Sequence, residues 1–310
     1  TQLIARRIRE NNTYCEVHHQ DFISNIKNFD NVIGVILSGG PDTVTENNNY
    51  DLPDILFENN IPLLGICFGM QLICKKFNSK IQKSTSREYG KAILEIQQDV
   101  KIFQGLNKTL EVWMSHGDSV ISSPNNFSVI GSTNKKGLSA IKINDKEIYG
   151  IQFHPEVTHT LDDGKIIYNF VSNICKSKGN WTTKNIIDNQ VSIIKDKVKG
   201  DNVILGLSGG VDSSVAAAMI HKAINNQLTC IFIDNGLLRL NEKKEVEEGF
   251  KDFIGIKIKY VDASRLFLDR LKKIVDPEEK RKIIGNTFID VFNKEAKKIK
   301  NAKWLAQGTI

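Results

Sequence analysis

Short apolar runs that end in polar turns and alternate with helical patterns constrain the fold of this chain more than any other feature. Three of them read NVIGVILSGG (31–40), IPLLGICFG (61–69) and EIYGIQFHPE (147–156), and the helical pattern MQLICKKF follows the second. Strands buried on both faces read as continuous apolar runs, and parallel strands are joined by helical crossovers. This order predicts a parallel sheet covered on both faces, with functional loops at the carboxyl ends of its strands.

A second unit of the same kind begins after the polar stretch KSKGNWTT. Strands are predicted at 202–207, 228–234 and 257–263, with helical patterns before and between them. Because 310 residues exceed what one compact core usually holds, two domains are expected. We predict an α/β protein with two domains, each a mostly parallel sheet flanked by helices. The predicted bounds are 1–175 for the first domain, 176–183 for a linker and 184–310 for the second domain.

The composition limits the partners and the compartment. The chain carries 42 Lys and Arg against 36 Asp and Glu, a formal charge of +6. This small, dispersed excess suits anionic small molecules such as nucleotides, whereas a nucleic-acid interface would need a concentrated basic stripe. The five cysteines form no CxxC pair, so neither a disulfide framework nor a zinc site is expected, and a reducing compartment fits. No apolar run approaches the roughly 20 residues that span a bilayer, so no membrane partner is expected.

The pentapeptide GICFG (65–69) has the form G-x-C-x-G at a predicted strand-to-helix junction. Small residues on both sides allow a nucleophile to sit on a sharp turn above the sheet. The sulfur of Cys67 would then lie at a helix N-terminus, where the helix dipole favours thiolate over thiol. The alternative is a buried structural cysteine, which is a common fate of that residue.

Two further segments favour a nucleophile at Cys67. SGGP (38–41) closes an earlier strand and can aim a backbone N–H at an oxyanion, with the N–H of Phe68 as a partner. FHPE supplies His154 and Glu156, which point the same way if the segment is extended, and the following proline disfavours a helical conformation at the histidine. His154 could take the thiol proton while Glu156 orients the imidazole ring.

Together these residues resemble the class I (triad) glutamine amidotransferase domain, with SREYG (86–90) and WMSHGDSV (113–120) adding to the likeness. The resemblance implies a flavodoxin-like fold over 1–175. It also implies that Cys67 attacks the side-chain amide of glutamine, ammonia leaves, and water hydrolyses the glutamyl thioester. His154 and Glu156 would complete the catalytic triad.

The same resemblance implies further roles around the cysteine. Gly40 and Phe68 would be the oxyanion donors. His116 and Asp118 are expected to shape the glutamine pocket or a domain face rather than to take part in the chemistry.

The stretch GLSGGVDSS (206–214) joins the first strand of the second domain to a helix, and it has no lysine, so it is not a Walker loop. Its glycines allow backbone N–H groups to converge on phosphate oxygens at a helix N-terminus. Ser208, Ser213 and Ser214 add hydroxyl donors, and Asp212 suits a Mg²⁺ ion that bridges phosphates. The alternative is a glycine-rich turn without a ligand.

This loop resembles the PP-loop of the N-type ATP pyrophosphatases, which implies a Rossmann-like, adenine nucleotide α hydrolase-like fold and ATP cleavage between the α and β phosphates. The backbone of Ile233 would lie near adenine, with Asp234 nearby. The residues implied in ATP binding are Gly206, Ser208, Gly209, Gly210, Val211, Asp212, Ser213, Ser214 and Ile233, with Asp212 also implied as the Mg²⁺ ligand.

Five segments are similar in order and spacing to the GMP synthetase (glutamine-hydrolysing) family: VTHT (157–160), LGLSGGVDSSV (205–215), IDNGLLRLNE (233–242), DPEEKRKIIG (276–285) and KWLAQGTI (303–310). The resemblance implies that XMP, ATP and glutamine become GMP, AMP, pyrophosphate and glutamate through adenyl-XMP. It implies Mg²⁺, ATP as co-substrate, a cytoplasmic enzyme, and a homodimer formed by a C-terminal domain absent from this chain. The first strand of the amidotransferase domain and the end of the pyrophosphatase domain are expected to be missing.

Several alternatives stay open at this point. Arg239 is a candidate for holding the XMP phosphate, since a guanidinium suits bidentate phosphate contact, but it could be a surface arginine. DPEEKRKIIG is either a capped helix start, with Asp276 as N-cap and Pro277 at the first position, or a lid near ATP. A glutamine-dependent NAD-synthesising enzyme would keep both activities with another acceptor, and a non-catalytic relative would lack at least one of the key side chains.

Overall fold

The computed structural model describes residues 1–19, 22, 29–44, 50–58, 60–123, 126–134, 137–157, 163–250 and 256–308, without the side chains of 84–88, 163 and 247. The predicted motif VTHT lies outside the described residues after Val157, as do the last two residues of KWLAQGTI and the side chains of Ser86–Glu88 in SREYG. Within the described ranges, no helix is both long and apolar enough to cross a membrane. The chain divides into two compact units, Thr1–Thr182 and Thr183–Ile310.

The first unit is built on a sheet whose described part has seven strands, in the order β1-β2-β7-β6-β5-β3-β4. Its described strands are β1 (Val35–Leu37), β2 (Leu63–Ile66), β3 (Ile81–Ile96), β4 (Thr109–Val120), β5 (Phe127–Ser132), β6 (Ala140–Ile143) and β7 (Ile148–Ile151). Its described helices are α1 (Gln2–Glu10), α2 (Ile55–Glu58), α3 (Phe68–Lys76) and α4 (Asp163–Tyr168), which continues as a π-helix at Asn169–Ile174, and a 3₁₀ turn lies at Lys101–Phe103.

The three apolar runs form the parallel part of this sheet, as predicted. β1 pairs with β2 and β2 pairs with β7, all parallel. Leu37 lies opposite Gly65, and Ile66 lies opposite Ile151, so the three strands end at nearly the same level. The segments that follow them therefore meet at one edge of the sheet.

The other half of the sheet differs from the prediction of a mostly parallel sheet, because β7, β6, β5, β3 and β4 pair antiparallel. The long hairpin of β3 and β4 carries SREYG and WMSHGDSV. Along β4, the burial alternates residue by residue over most of its length. The letters TLEV alternate between polar and apolar in the same way, before Trp113 and His116 depart from the pattern. Such alternation is typical of a strand with one buried face and not of a continuous apolar run.

The central strand of the parallel part is buried on both faces. Leu64 and Ile66 of β2 belong to one apolar cluster, and Leu63 belongs to the cluster on the other face with Met70 and Ile73 of α3. All four residues of β2 are buried. The strand that leads into Cys67 is therefore closely packed on both faces.

The described residues of the second unit form a four-stranded sheet with the order β10-β9-β8-β11, and all the pairings among these strands are parallel. The described strands are β8 (Asn202–Leu207), β9 (Leu228–Asp234), β10 (Lys257–Asp262) and β11 (Ala302–Ala306). The described helices are α5 (Thr183–Val198), α6 (Val211–Ile224), α7 (Glu242–Gly249), α8 (Ser264–Leu271) and α9 (Pro277–Ala296), with a 3₁₀ turn at Asn225–Gln227. The predicted strands 202–207 and 228–234 are confirmed, and 257–263 is confirmed to within one residue.

The chain order of this sheet reverses at β8, because β9 lies on one side of it and β11 on the other. Ligands of open parallel sheets bind at the carboxyl ends of the strands beside such a reversal. The loop between β8 and α6 occupies that place. Helix α9 begins as the capping pattern predicts: Asp276 accepts a hydrogen bond from the N–H of Glu279 at 2.8 Å, and Pro277 is the first helical residue.

Candidate active sites

Cys67 occupies a strained turn between β2 and α3. Its backbone has φ 52° and ψ −107°, and its side chain is buried. A positive φ is unfavourable for a residue with a β-carbon, so the surrounding packing must hold it there. The N–H of Cys67 donates to the carbonyl of Ile151 at 2.8 Å, and its own carbonyl accepts from Gln71 at 3.2 Å, which fixes the turn at both ends.

Glycines allow this turn to form. A β-carbon on Gly65 would lie 2.7 Å from the backbone of Gly69, and one on Gly69 would lie 2.2 Å from the carbonyl oxygen of Leu37. These distances leave no space for a side chain. The first turn of α3 can therefore pack directly on the end of β1, beside the SGGP segment.

His154 and Glu156 form a pair next to this turn. The Nδ1 atom of His154 lies 2.8 Å from Oε1 of Glu156, whose side chain is 9 % exposed. The backbone N–H of His154 donates to the carbonyl of Trp113 at 3.0 Å, and Nε of Arg7 donates to the carbonyl of Glu156 at 3.3 Å. The segment after β7 is thus tied to β4 on one side and to α1 on the other.

The structure brings the predicted triad together. A β-carbon on Gly39 would lie 2.9 Å from Cε1 of His154 and 3.6 Å from Cβ of Cys67, so both side chains border the SGGP segment. Burial opposes protonation of His154, but hydrogen bonds with Cys67 and Glu156 outweigh it and raise the pKa of the ring to about 10. The ring therefore lies between a sulfur and a carboxylate, and both favour its protonated form.

Three other cysteines are held as neutral thiols by their surroundings. Burial raises the pKa of the thiols of Cys74, Cys175 and Cys230 to about 12. A thiol in an apolar setting is inert at neutral pH, because the thiolate is the nucleophile. Cys67 is distinguished from them by its strained turn and by the imidazole beside it.

The residues predicted as oxyanion donors contact each other at the turn that carries Cys67. Phe68 follows Cys67 directly and is the first residue of α3. Gly40 packs on its ring, since a β-carbon on Gly40 would lie 3.5 Å from Cδ1 of Phe68. The end of β1 and the start of α3 therefore meet at the mouth of this site.

His116 and Asp118 are buried at the end of β4, close to the cysteine. Nδ1 of His116 lies 2.9 Å from the carbonyl oxygen of Asp118, and because a carbonyl only accepts, this nitrogen carries the proton. The hydroxyl of Thr43 donates to the carboxylate of Asp118. The sulfur of Cys67 donates to the carbonyl of Ser115 at 3.5 Å. These contacts fix His116 and Asp118 beside the cysteine, and their role in shaping a glutamine pocket stays a prediction.

Two residues that sequence reasoning missed connect this cluster to the turn at Cys67. Nε2 of Gln71 donates to the carbonyl of Asp118 at 3.1 Å and to Oε1 of Gln152 at 3.3 Å. Both glutamines are almost fully buried. A polar side chain in the apolar run MQLIC was the available signal for Gln71, since buried amides require partners.

The serine–glycine loop lies between β8 and α6 in the second unit. Gly209 has φ +75°, and Gly210 is the N-cap residue of α6. The hydroxyls of Ser213 and Ser214 both donate to the carbonyl of Gly210, at 3.0 and 2.9 Å. Ser213 is buried, and its oxygen also accepts from the N–H of Ser208 at 3.2 Å.

This geometry differs from the expectation that three hydroxyls face a phosphate. Serines in a first helical turn commonly bond back to a carbonyl three or four residues earlier, and Ser213 and Ser214 both do so. Their hydroxyls shape the loop. Ser208 and Asp212 are exposed at its surface, and the hydroxyl oxygen of Ser208 also lies 3.1 Å from that of Ser213. Val211 is also exposed. Gly206 packs within the sheet, where a β-carbon would lie 3.4 Å from the ring of Phe292.

A residue near the end of the chain completes this loop. A β-carbon on Gly308 would lie 2.9 Å from the backbone nitrogen of Ser213 and 3.0 Å from the carbonyl carbon of Asp212. The backbone after β11 therefore packs directly on the first turn of α6. The available sequence signal was the glycine in KWLAQGTI.

Ile233 and Arg239 follow on the next strand and its loop. The side chain of Ile233 is buried, and its position in β9 lies just beyond Phe232, where the pairing with β8 ends. Asp234 accepts from the N–H of Gly236 at 2.9 Å and so closes the turn after β9. The side chain of Arg239 is 75 % exposed, with Nε 3.4 Å from Oε2 of Glu242.

The described residues contain no cluster of three or more histidine, cysteine or acidic side chains able to hold a metal ion. Mg²⁺ bound with a nucleotide needs only one or two protein carboxylates, because phosphate oxygens and water supply the other ligands. The exposed carboxylate of Asp212 at the loop fits that mode of binding.

Comparison with known proteins finds a family match in each part of the chain. Residues 1–174 match the family "Glutamine amidotransferase class-I", and residues 184–281 match the family "NAD synthase". Since the first match covers more than half of the chain and includes Cys67 and the histidine–glutamate pair, the chain belongs to the class-I glutamine amidotransferase family.

Curated relatives of the chain carry one particular name. The chain is 50% identical over 311 aligned residues to "GMP synthase [glutamine-hydrolyzing]" of Aliivibrio fischeri and equally to that of Vibrio atlanticus. Each alignment covers 100% of this chain and 60% of the relative, so the chain spans 60% of the length of these curated relatives.

A solved structure resembles part of the chain. It is a protein of Thermoplasma acidophilum that is described as one component of a GMP synthase, with 30% identity and a TM-score of 0.50. The match covers 56% of this chain and 87% of the solved one.

Proposed function

We propose that this chain belongs to an enzyme that makes GMP from XMP, ATP and glutamine. The name of the relatives, which share half of its residues, supports this proposal, as does the presence of both sites. The observation that carries it is the convergence of Cys67, His154 and Glu156 at one sheet edge, in a chain that also has the lysine-free loop 208–214.

In the first unit, the sulfur of Cys67 attacks the side-chain carbonyl carbon of glutamine, and the N–H groups of Gly40 and Phe68 stabilise the oxyanion. His154 holds the proton that the thiol gives up and delivers it to the nitrogen, so that ammonia leaves and a glutamyl thioester remains. Glu156 holds the ring in the orientation needed for both transfers. Water then hydrolyses the thioester to glutamate.

In the second unit, the loop 208–214 binds the phosphates of ATP through its backbone and the hydroxyl of Ser208. The hydroxyls of Ser213 and Ser214 act through the shape of the loop, and the backbone of Ile233 lies near adenine. Mg²⁺, held by Asp212, would neutralise charge on the pyrophosphate that leaves. The AMP group is transferred to an oxygen of XMP, and ammonia displaces AMP to give GMP. Arg239 supplies a cation for a phosphate of the substrates.

A second acceptor calls for a direct comparison, because residues 184–281 match the family "NAD synthase". Nicotinic acid adenine dinucleotide would be activated by ATP and aminated in the same way. The relatives at 50% identity favour XMP. We also propose that the full-length protein is a soluble, cytoplasmic homodimer. Sedimentation of the full-length protein would test the oligomeric state.

The test is an assay of the full-length enzyme with ATP-Mg and ammonium. It measures pyrophosphate release with XMP in one arm and with nicotinic acid adenine dinucleotide in the other. We expect pyrophosphate release in the arm with XMP and none in the arm with the dinucleotide. Release only in the arm with the dinucleotide would establish the second candidate. The absence of release in both arms would refute both candidates.

A further inference from the structure

Glu242 is a buried carboxylate that neither proposed reaction uses. It begins helix α7 and is only 8 % exposed. A buried charge is costly unless it is paired and hydrogen-bonded. Its partner is Arg239: Oε2 accepts the backbone N–H of Arg239 at 2.8 Å and lies 3.4 Å from its Nε. The N–H of Glu242 in turn donates to the carbonyl of Arg239 at 3.1 Å.

The second oxygen of this carboxylate lies against the serine–glycine loop. A β-carbon placed on Gly209 would be 2.9 Å from Oε1 of Glu242 and 3.2 Å from Cγ2 of Val246. Gly209 has φ +75°, so both its conformation and its surroundings require glycine. One carboxylate therefore lies against the serine–glycine loop through Oε1 and bonds to the loop 235–241 through Oε2.

This inference rests on the proposed function. We propose that Glu242 is a positioning residue for the nucleotide site, because its carboxylate couples the loop at Gly209 to the loop that carries Arg239. Arg239 keeps its Nε and its backbone N–H on this carboxylate, since its departure would leave a buried charge uncompensated. Its terminal nitrogens belong to an exposed side chain and are the part that meets a substrate phosphate.

The test compares Glu242→Ala and Glu242→Asp in the full-length enzyme. The aspartate keeps the charge but is one methylene shorter, so it cannot contact both loops. We expect each variant to weaken ATP-Mg binding by at least about tenfold, measured by titration calorimetry, and to raise KM for ATP similarly, while the glutaminase rate stays unchanged. Glu245→Ala, an exposed glutamate in the same helix, is the matched control.

A double-mutant cycle separates this role from a general loss of stability. Gly209→Ala should weaken ATP binding more in the wild-type background than in Glu242→Ala, because its methyl group collides with Oε1 only when the glutamate is present. We expect the factor by which Gly209→Ala weakens ATP binding to be at least about threefold larger in the wild type than in Glu242→Ala. Additive penalties, or folded variants that bind ATP like the wild type, would overturn the proposal.

Other outcomes also decide between the two proposals. If Glu242→Ala does not fold, the aspartate variant carries the test. If the wild type binds ATP but does not react with XMP, the proposed function fails, whereas weaker ATP binding by the variants still supports the positioning role.

Discussion

Replacing Glu156 with glutamine tests the histidine–carboxylate pair in the first unit. The 2.8 Å contact between Oε1 of Glu156 and Nδ1 of His154 is a hydrogen bond to a charged group. Such bonds contribute about 1.5–3 kcal/mol, which corresponds to roughly 10- to 150-fold in rate. We expect kcat/KM for glutamine to fall by that factor, because the amide no longer stabilises a protonated ring.

The same substitution changes how stability depends on pH. The pKa of His154 is raised in the folded protein from 6.5 to about 10, since hydrogen bonds with Cys67 and Glu156 outweigh the effect of burial. Its protonation therefore stabilises the fold fully below pH 6.5, and this contribution is lost as the pH rises through 10. In Glu156→Gln the pKa should be lower, so the difference in unfolding free energy from the wild type should shrink between pH 6.5 and 10.

The assays are glutamate release with glutamine as substrate, and urea denaturation across this pH range. Glu111→Gln is the control. It makes the same chemical change in an ion pair with Lys91 on the neighbouring strand, and neither residue belongs to the triad. Synthesis from ammonium should remain at the wild-type rate in both variants. An unchanged glutaminase, or a stability difference that grows from pH 6.5 to 10, would refute the reasoning.

Three other substitutions probe separate parts of the chain. Asp212→Ala should abolish pyrophosphate release in the full-length enzyme and leave a basal glutaminase; unchanged synthesis would remove Asp212 from the metal role. Gly69→Ala should lower the unfolding free energy by about 1–3 kcal/mol in denaturant titration, because its methyl group would overlap the carbonyl of Leu37; wild-type stability would contradict the tight packing. Asp276→Ala should cost about 1 kcal/mol by the same measurement, since the N–H of Glu279 loses its cap, and no loss would show that the cap is not used.

Local patterns were sufficient for much of this protein. Continuous apolar runs identified β1, β2 and β7, and residues that follow parallel strands must meet at one edge, so the approach of Cys67 to His154 could be anticipated. The capping pattern at Asp276 likewise needs only four residues of sequence. Each of these features depends on interactions that are short in sequence or imposed by parallel pairing.

Features that depend on distant packing could not be predicted in this way. The search for continuous apolar runs did not predict the antiparallel hairpin of β3 and β4, because β4 is buried on one face and its burial alternates. Gln152 meets Gln71 across 81 positions, and no local pattern indicates such a pair. The hydroxyl of Ser213 turned inward because a helical first turn offers it a carbonyl, which a list of donors does not reveal.

The most direct test of the central claim is the fate of isotope-labelled nitrogen in Cys67→Ala. The full-length variant is supplied with XMP, ATP-Mg and either amide-¹⁵N glutamine or ¹⁵N ammonium, and labelled GMP is measured by mass spectrometry. We predict no label from glutamine and a wild-type rate from ammonium, since the thiol serves only to release ammonia. Label arriving from glutamine, or the loss of both reactions, would contradict the separation of the two sites.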